Sequence, residues 1–132
     1  MIFLDTSGLL CLFDSRDALH DVAAREFRRA DRFLTHNYVL DELVALANAR
    51  NLPRRHSLDF IRSLLDHPLI EILWVDEAFH RAAMDLLSRR LDKDYSLCDA
   101  VSFLQMRERG ITEALTTDRH FEQEGLVRLL KA

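Results

Sequence analysis

Four carboxylates in this sequence stand where they could act together on one ligand. Asp5 directly follows a short apolar run, Ile2-Phe3-Leu4, and Asp118 directly follows a second, Glu113–Thr117 (EALTT). Short apolar runs of this kind suit buried strands. If the two strands run parallel, both acids emerge at the same edge of a sheet, where open α/β sheets bind ligands. Glu42 lies early in the stretch from Asn37 to Arg50, with Val39, Ala45, Leu46 and Ala49 at helical spacing around it. It is therefore expected beside the apolar stripe, with its neighbour Asp41 turned away. Asp99 falls three residues after Ser96, as in a capping box, with Ser102, Phe103 and Met106 following on its face. A helix N-terminus favours a carboxylate there by ~0.3–1 kcal/mol.

Carboxylates gathered at one edge repel. Either they hold protons or a cation neutralises them. An all-oxygen set suits Mg²⁺, with Mn²⁺ an alternative. A divalent ion in such a site acidifies water and stabilises charge on phosphoryl oxygens, so phosphodiester hydrolysis is the expected reaction. Each acid also has a plainer role. Asp5 could cap a helix, Asp99 could serve only its capping box, Asp118 could be a turn residue, and Glu42 a half-exposed helix acid.

The elements that would position these acids alternate. Strands are expected at 2–4, 32–35, 69–75, 113–117 and 126–130. Helices are expected at 7–13, 18–30, from Asn37 as a cap to about Arg50, from Pro53 onward, after Asp76, and from Ser96 to Arg109 with Gly110 closing it. This alternation predicts an α/β fold, a parallel sheet with helices on both faces. With 132 residues, three glycines, two prolines and no linker-like stretch, one domain spanning 1–132 is expected.

Composition narrows the function classes. The chain is 48% hydrophobic and 30% charged, which is globular and far from disordered. No run is long and apolar enough to span a membrane. The start, MIFLDTS, lacks a signal-peptide pattern, and a cytoplasmic location is expected. Cys11 and Cys98 form no CxxC pair, so they are expected as buried thiols in a reducing compartment. The six histidines make no HxxxH or HExxH pattern, which argues against a zinc enzyme. His120 is expected to shape the turn in DRHF, and Trp74 to pack in the core. The net charge of −4 is unusual for a nucleic-acid binder, but it counts less if four acids and a cation share one pocket. Arg25, Arg28, Arg29 and Arg32, then Arg50, Arg54 and Arg55, are expected as solvated faces. Lys93 and Arg119 flank the site segments and are better placed for phosphate contact.

The segments LDTSGLL, YVLDELVALA, YSLCDAVSF and LTTDRHFEQEGL together resemble the PIN-domain family, in the order and spacing of the VapC-type toxins of toxin–antitoxin pairs. The resemblance covers nearly the whole chain. It implies a three-layer α/β/α sandwich with a short central parallel sheet and a Mg²⁺- or Mn²⁺-dependent endoribonuclease. Asp5, Glu42, Asp99 and Asp118 match the family's acidic quartet. By that match Asp5 and Asp99 would be the primary metal ligands, with Glu42 and Asp118 completing the site or orienting the nucleophile. Thr6 and Thr117 match supporting hydroxyl positions. The implied partners are RNA, a small antitoxin and a second copy of the chain. A haloacid dehalogenase-like phosphatase would need an acid where Ser7 stands, and a receiver domain would need an acidic pair and a late lysine. A non-catalytic RNA- or partner-binding domain on the same fold remains the alternative.

Overall fold

A computed structural model describes residues 1–131. Five strands, β1 (Ile2–Leu4), β2 (Phe33–His36), β3 (Ile70–Leu73), β4 (Glu113–Leu115) and β5 (Val127–Arg128), form one sheet in the order β3-β2-β1-β4-β5. Every neighbouring pair is parallel. Parallel strands need long crossovers, and the helices supply them. These are α1 (Thr6–Phe13), α2 (His20–Arg29), α3 (Asn37–Ala49), α4 (Arg54–Asp66), α5 (Glu77–Ser88), α6 (Leu97–Arg109) and α7 (His120–Gln123). Helix α1 packs on α2 and α3, and α3 on α4, while α5 pairs with α6. The sheet lies between helices, as the alternating pattern predicts.

The central strands are apolar because both faces are covered. Ile2, Phe3 and Leu4 are buried, as are Phe33, Leu34, Ala114 and Leu115. The chain builds β1, β2 and β3 outward on one side, then returns through α5 and α6 to place β4 on the other side of β1. The crevice at the carboxyl ends of β1 and β4 is therefore the switch point of the topology. Gly8 lets α1 enter it closely. A Cβ there would lie 2.0 Å from the Leu115 carbonyl oxygen, so only glycine fits.

Several boundaries differ from expectation. β3 stops at Leu73, so Trp74 begins a loop and is 67% exposed instead of packing in the core. The N-cap of α3 is His36, whose Nδ1 accepts from the Val39 N–H at 3.3 Å; Asn37 instead accepts from the Val75 N–H at 2.7 Å. The α7 turn was not anticipated, because four residues carry no readable period. Asp76 opens α5, the Ser96–Asp99 box opens α6 and Gly110 closes it, as expected.

Candidate active site

The end of β1 and the end of β4 meet through side chains. Asp5 is 5% exposed and occupies the N-cap position of α1, yet makes no capping hydrogen bond. Its Oδ2 accepts instead from the Thr116 hydroxyl at 2.7 Å and from Ser7 Oγ at 3.4 Å. The plain capping role is therefore not the one it plays. Thr116 also accepts from the Asp118 N–H at 3.0 Å, and Ser7 Oγ accepts from the Thr117 N–H at 3.0 Å. These bonds stitch the DTS and TTD segments into one rigid corner.

Asp99 approaches from α6, 7% exposed. Its Oδ2 accepts from the Ser96 N–H at 3.1 Å, and Ser96 Oγ accepts from the Asp99 N–H at 3.0 Å. The box is real, but it does not exhaust the carboxylate. The same Oδ2 lies 2.9 Å from His120 Nδ1, which lies 3.4 Å from Asp118 Oδ1. One ligand atom each from Asp99, Asp118 and His120 falls within 4.8 Å of the others. Asp118 also accepts from the His120 N–H at 2.9 Å, so it serves the turn as well as the cluster.

Electrostatics tie Asp5 and Glu42 to this group. Burial raises the Asp5 pKa to about 7; the charges of Asp99 and Glu42 push the same way, against the hydrogen bond from Thr116. Burial likewise raises Asp99, opposed by its bonds to His120 and Ser96. Glu42 itself is exposed, as is Asp41, so the expected inward tilt does not separate them by burial. The charge of Glu42 does reach the group, raising the pKa of both Asp5 and Cys98.

Beside the two supporting hydroxyl positions, Thr6 and Thr117, stands a third that the sequence reading did not name. The hydroxyl on Asp5 is that of Thr116. β4 ends at Leu115, and adjacent residues point to opposite sides, so the first threonine faces β1. Thr117 is held through its backbone, its carbonyl accepting from Arg128 at 3.0 Å. Thr6 is buried at the start of α1; among the described residues its hydroxyl has no full hydrogen-bond partner, and it faces the Cys98 thiol. His120 does more than shape a turn. Its Nδ1 sits on two of the acids, a role that DRHF alone did not separate from a local one.

The donor set suits a divalent cation. Carboxylates converge, and one is driven up toward neutrality by burial and by other acids. Residues 2–125 match the PIN domain. The chain belongs to the PIN domain family. Its curated relatives include the "23S rRNA-specific endonuclease VapC20" of Mycobacterium tuberculosis strains CDC 1551 and H37Rv, each 32% identical over 130 residues and 98% of both chains. The crystal structure of Mycobacterium tuberculosis VapC20, described as a sarcin–ricin loop cleaving toxin, superimposes with a TM-score of 0.90 at 29% identity, over 99% of this chain and all of the other. The five-stranded parallel sheet of this PIN domain is thus that of VapC20, and the enzyme class is that of a nuclease.

Proposed function

We propose that this PIN domain is a Mg²⁺- or Mn²⁺-dependent endoribonuclease and the toxin of a toxin–antitoxin pair. The observation that carries the proposal is the cluster of Asp99, Asp118 and His120 at the switch point of the sheet, with Asp5 joined to it through the Thr116 hydroxyl and the charge of Asp99. Asp5 and Asp99 are the ligands we assign first. Each has Oδ2 committed to protein donors, Thr116 and Ser7 for one, Ser96 and His120 for the other. Carboxylates held this way present a fixed oxygen to a cation. Glu42 and Asp118 are assigned to completing the charge and orienting the attacking water. When bound, the cation supplies positive charge to the phosphoryl oxygens and makes water a better nucleophile at neutral pH.

The residues around this centre suit a polyanion only locally. Arg119 is exposed beside Asp118, whereas Arg50, Arg54 and Arg55, exposed where α3 meets α4, lie by Asp14 past the end of α1 and make a separate basic face. Arg29 is engaged with Glu26 and Glu113, so it offers less to RNA than its neighbours. Because VapC20 is named for 23S rRNA, we assign ribosomal RNA as the first substrate to test. A small antitoxin and a second copy of this chain are the partners proposed with it, and a single nuclease domain its organisation. No helix among the described residues is long and apolar enough to cross a membrane. Both cysteines are free and buried, which suits the reducing cytoplasm we assign.

The test is cleavage of a 23S rRNA sarcin–ricin hairpin and of a mixed structured-RNA pool by protein freed of any copurified partner. Reactions contain Mg²⁺, Mn²⁺ or chelator, with Asp99→Asn alongside. Metal-dependent cleavage lost in Asp99→Asn is the expected result. Folded, metal-loaded protein that binds these RNAs without cutting them would support the non-catalytic binding domain instead.

A further inference from the structure

His120 is not one of the four acids, yet it is the side chain that touches two of them. Asp99 as a carboxylate can only accept, so the 2.9 Å contact requires the proton on Nδ1, directed at Asp99 Oδ2. With the Ser96 N–H on the same oxygen at 3.1 Å, both protein donors act on Oδ2, and none among the described residues is given to Oδ1. The side chain that fixes a ligand carboxylate must itself be fixed, and here it is. The Tyr95 ring packs edge-on against the imidazole, with centroids 5.1 Å apart and planes at 67°, and also against Phe103 at 5.0 Å. The Tyr95 hydroxyl donates to Glu124 Oε2 at 2.8 Å. Glu124 is almost wholly buried, its side chain 4% exposed, and is gripped as well by Arg90 and Arg107. A buried carboxylate with three donors is a strong local anchor. It joins the loop before α6 to the end of α7, and so ties together the two helices whose first turns carry Asp99 and His120.

From this we infer that His120 is a positioning residue, holding Asp99 Oδ2 so that Oδ1 faces the cation, and that Tyr95 and Glu124 brace His120 in that role. The inference rests on the nuclease reading above, since it supposes that the site takes up a divalent ion. It deepens that reading by assigning orientation of the ligand to three residues outside the acidic quartet. Outer-shell partners of metal ligands are typically worth about 10–100-fold in metal affinity.

The experiment is Mn²⁺ binding by calorimetry at fixed pH, on wild type, His120→Ala, His120→Asn and His120→Gln, with circular dichroism to establish that each is folded. Asparagine places an amide N–H near the Nδ1 position, whereas glutamine extends it toward the Nε2 position. His120→Ala and His120→Gln are expected to bind Mn²⁺ about 10–100-fold more weakly, with His120→Asn close to wild type. Tyr95→Phe keeps the ring and loses the bond to Glu124. It should weaken binding less, and add nothing in the His120→Ala background. Pulsed electron paramagnetic resonance of the Mn²⁺-loaded wild type should show no nitrogen coupling from a bound imidazole. Unchanged affinity in folded His120→Ala overturns the inference, as does a direct nitrogen coupling, which would make His120 a ligand. Wild-type protein that takes up no Mn²⁺ would remove the nuclease reading itself. Wild-type uptake with an indifferent His120→Ala removes only this inference.

Discussion

Asp5→Asn should disable the enzyme and stabilise the metal-free protein at the same time. Burial raises the Asp5 pKa from 3.8 to about 7, with Asp99 and Glu42 adding repulsion. The unfolded chain releases this proton near pH 4, while the folded chain holds it until near 7. Over that interval the folded state binds more protons, so the contribution of Asp5 to stability is full below pH 4 and lost as pH rises through 7. About three pH units at ~1.36 kcal/mol each give a loss on the order of 4 kcal/mol. Asparagine keeps the size and an acceptor for Thr116 but never ionises. His36 tilts the wild-type curve the other way, since burial lowers its pKa from 6.5 to about 3, and its contribution is lost as pH falls through that range. The wild-type curve therefore combines opposing slopes, and the informative quantity is the difference between variant and wild type. Urea denaturation in chelator, at half-unit steps from pH 4 to 8, measures it. Asp5→Asn is expected to gain on wild type by roughly 1 kcal/mol per pH unit, reaching a few kcal/mol at pH 8. In excess Mn²⁺ the order should invert, because only wild type gains from the ion. A difference that stays constant with pH would refute the assignment of a buried, proton-holding carboxylate.

Other outcomes follow from single contacts. Gly8→Ala places a Cβ 2.0 Å from the Leu115 carbonyl and 2.6 Å from its carbon, both backbone atoms that cannot swing away. It should cost about 3 kcal/mol or more, read as a lowered urea midpoint with unchanged slope. Thr116→Val is isosteric but removes the hydroxyl from Asp5 and the acceptor of the Asp118 N–H. RNA cleavage should fall about 10–100-fold, with the metal optimum shifted to higher pH because Asp5 loses the bond that favours its charged form. Ser96→Ala deletes one half of the capping box and should cost about 1 kcal/mol, checked by thermal unfolding.

The acids were legible in the sequence because their placement follows from chain direction. An apolar run that ends in Asp fixes which edge of a parallel sheet the acid occupies, and Asp5 and Asp118 needed only that. Asp99 was legible through its serine three residues earlier, since a capping box fixes where the helix begins. Glu42 was less so. A helical wheel assigns it to an apolar flank, but the depth of the neighbouring layer decides exposure, and here α3 leaves it in solvent while its charge still reaches Asp5. Trp74 misled for a related reason. Apolar character extends the strand on paper, but β3 lies at the edge of the sheet and has only β2 to pair with, so it ends at Leu73.

The side chains that hold the acids were the least legible, and the cause is geometric. Ser7, Thr116, Tyr95 and His120 act across contacts between segments as far apart as 111 residues, the span of the Thr116–Asp5 bond. Sequence periodicity reports which face of an element a residue occupies. It does not report which of two adjacent threonines meets a carboxylate from another strand, because one residue of strand end decides it. Acids that follow strand ends can be located from the sequence. The support that orients them comes from a third dimension that only the register β1–β4, with Leu4 opposite Leu115, defines. The same register sets Gly8 against Leu115, so the close approach of α1 and the Thr116–Asp5 bond are two consequences of one strand pairing. Loosening that pairing should weaken metal binding before it unfolds the chain.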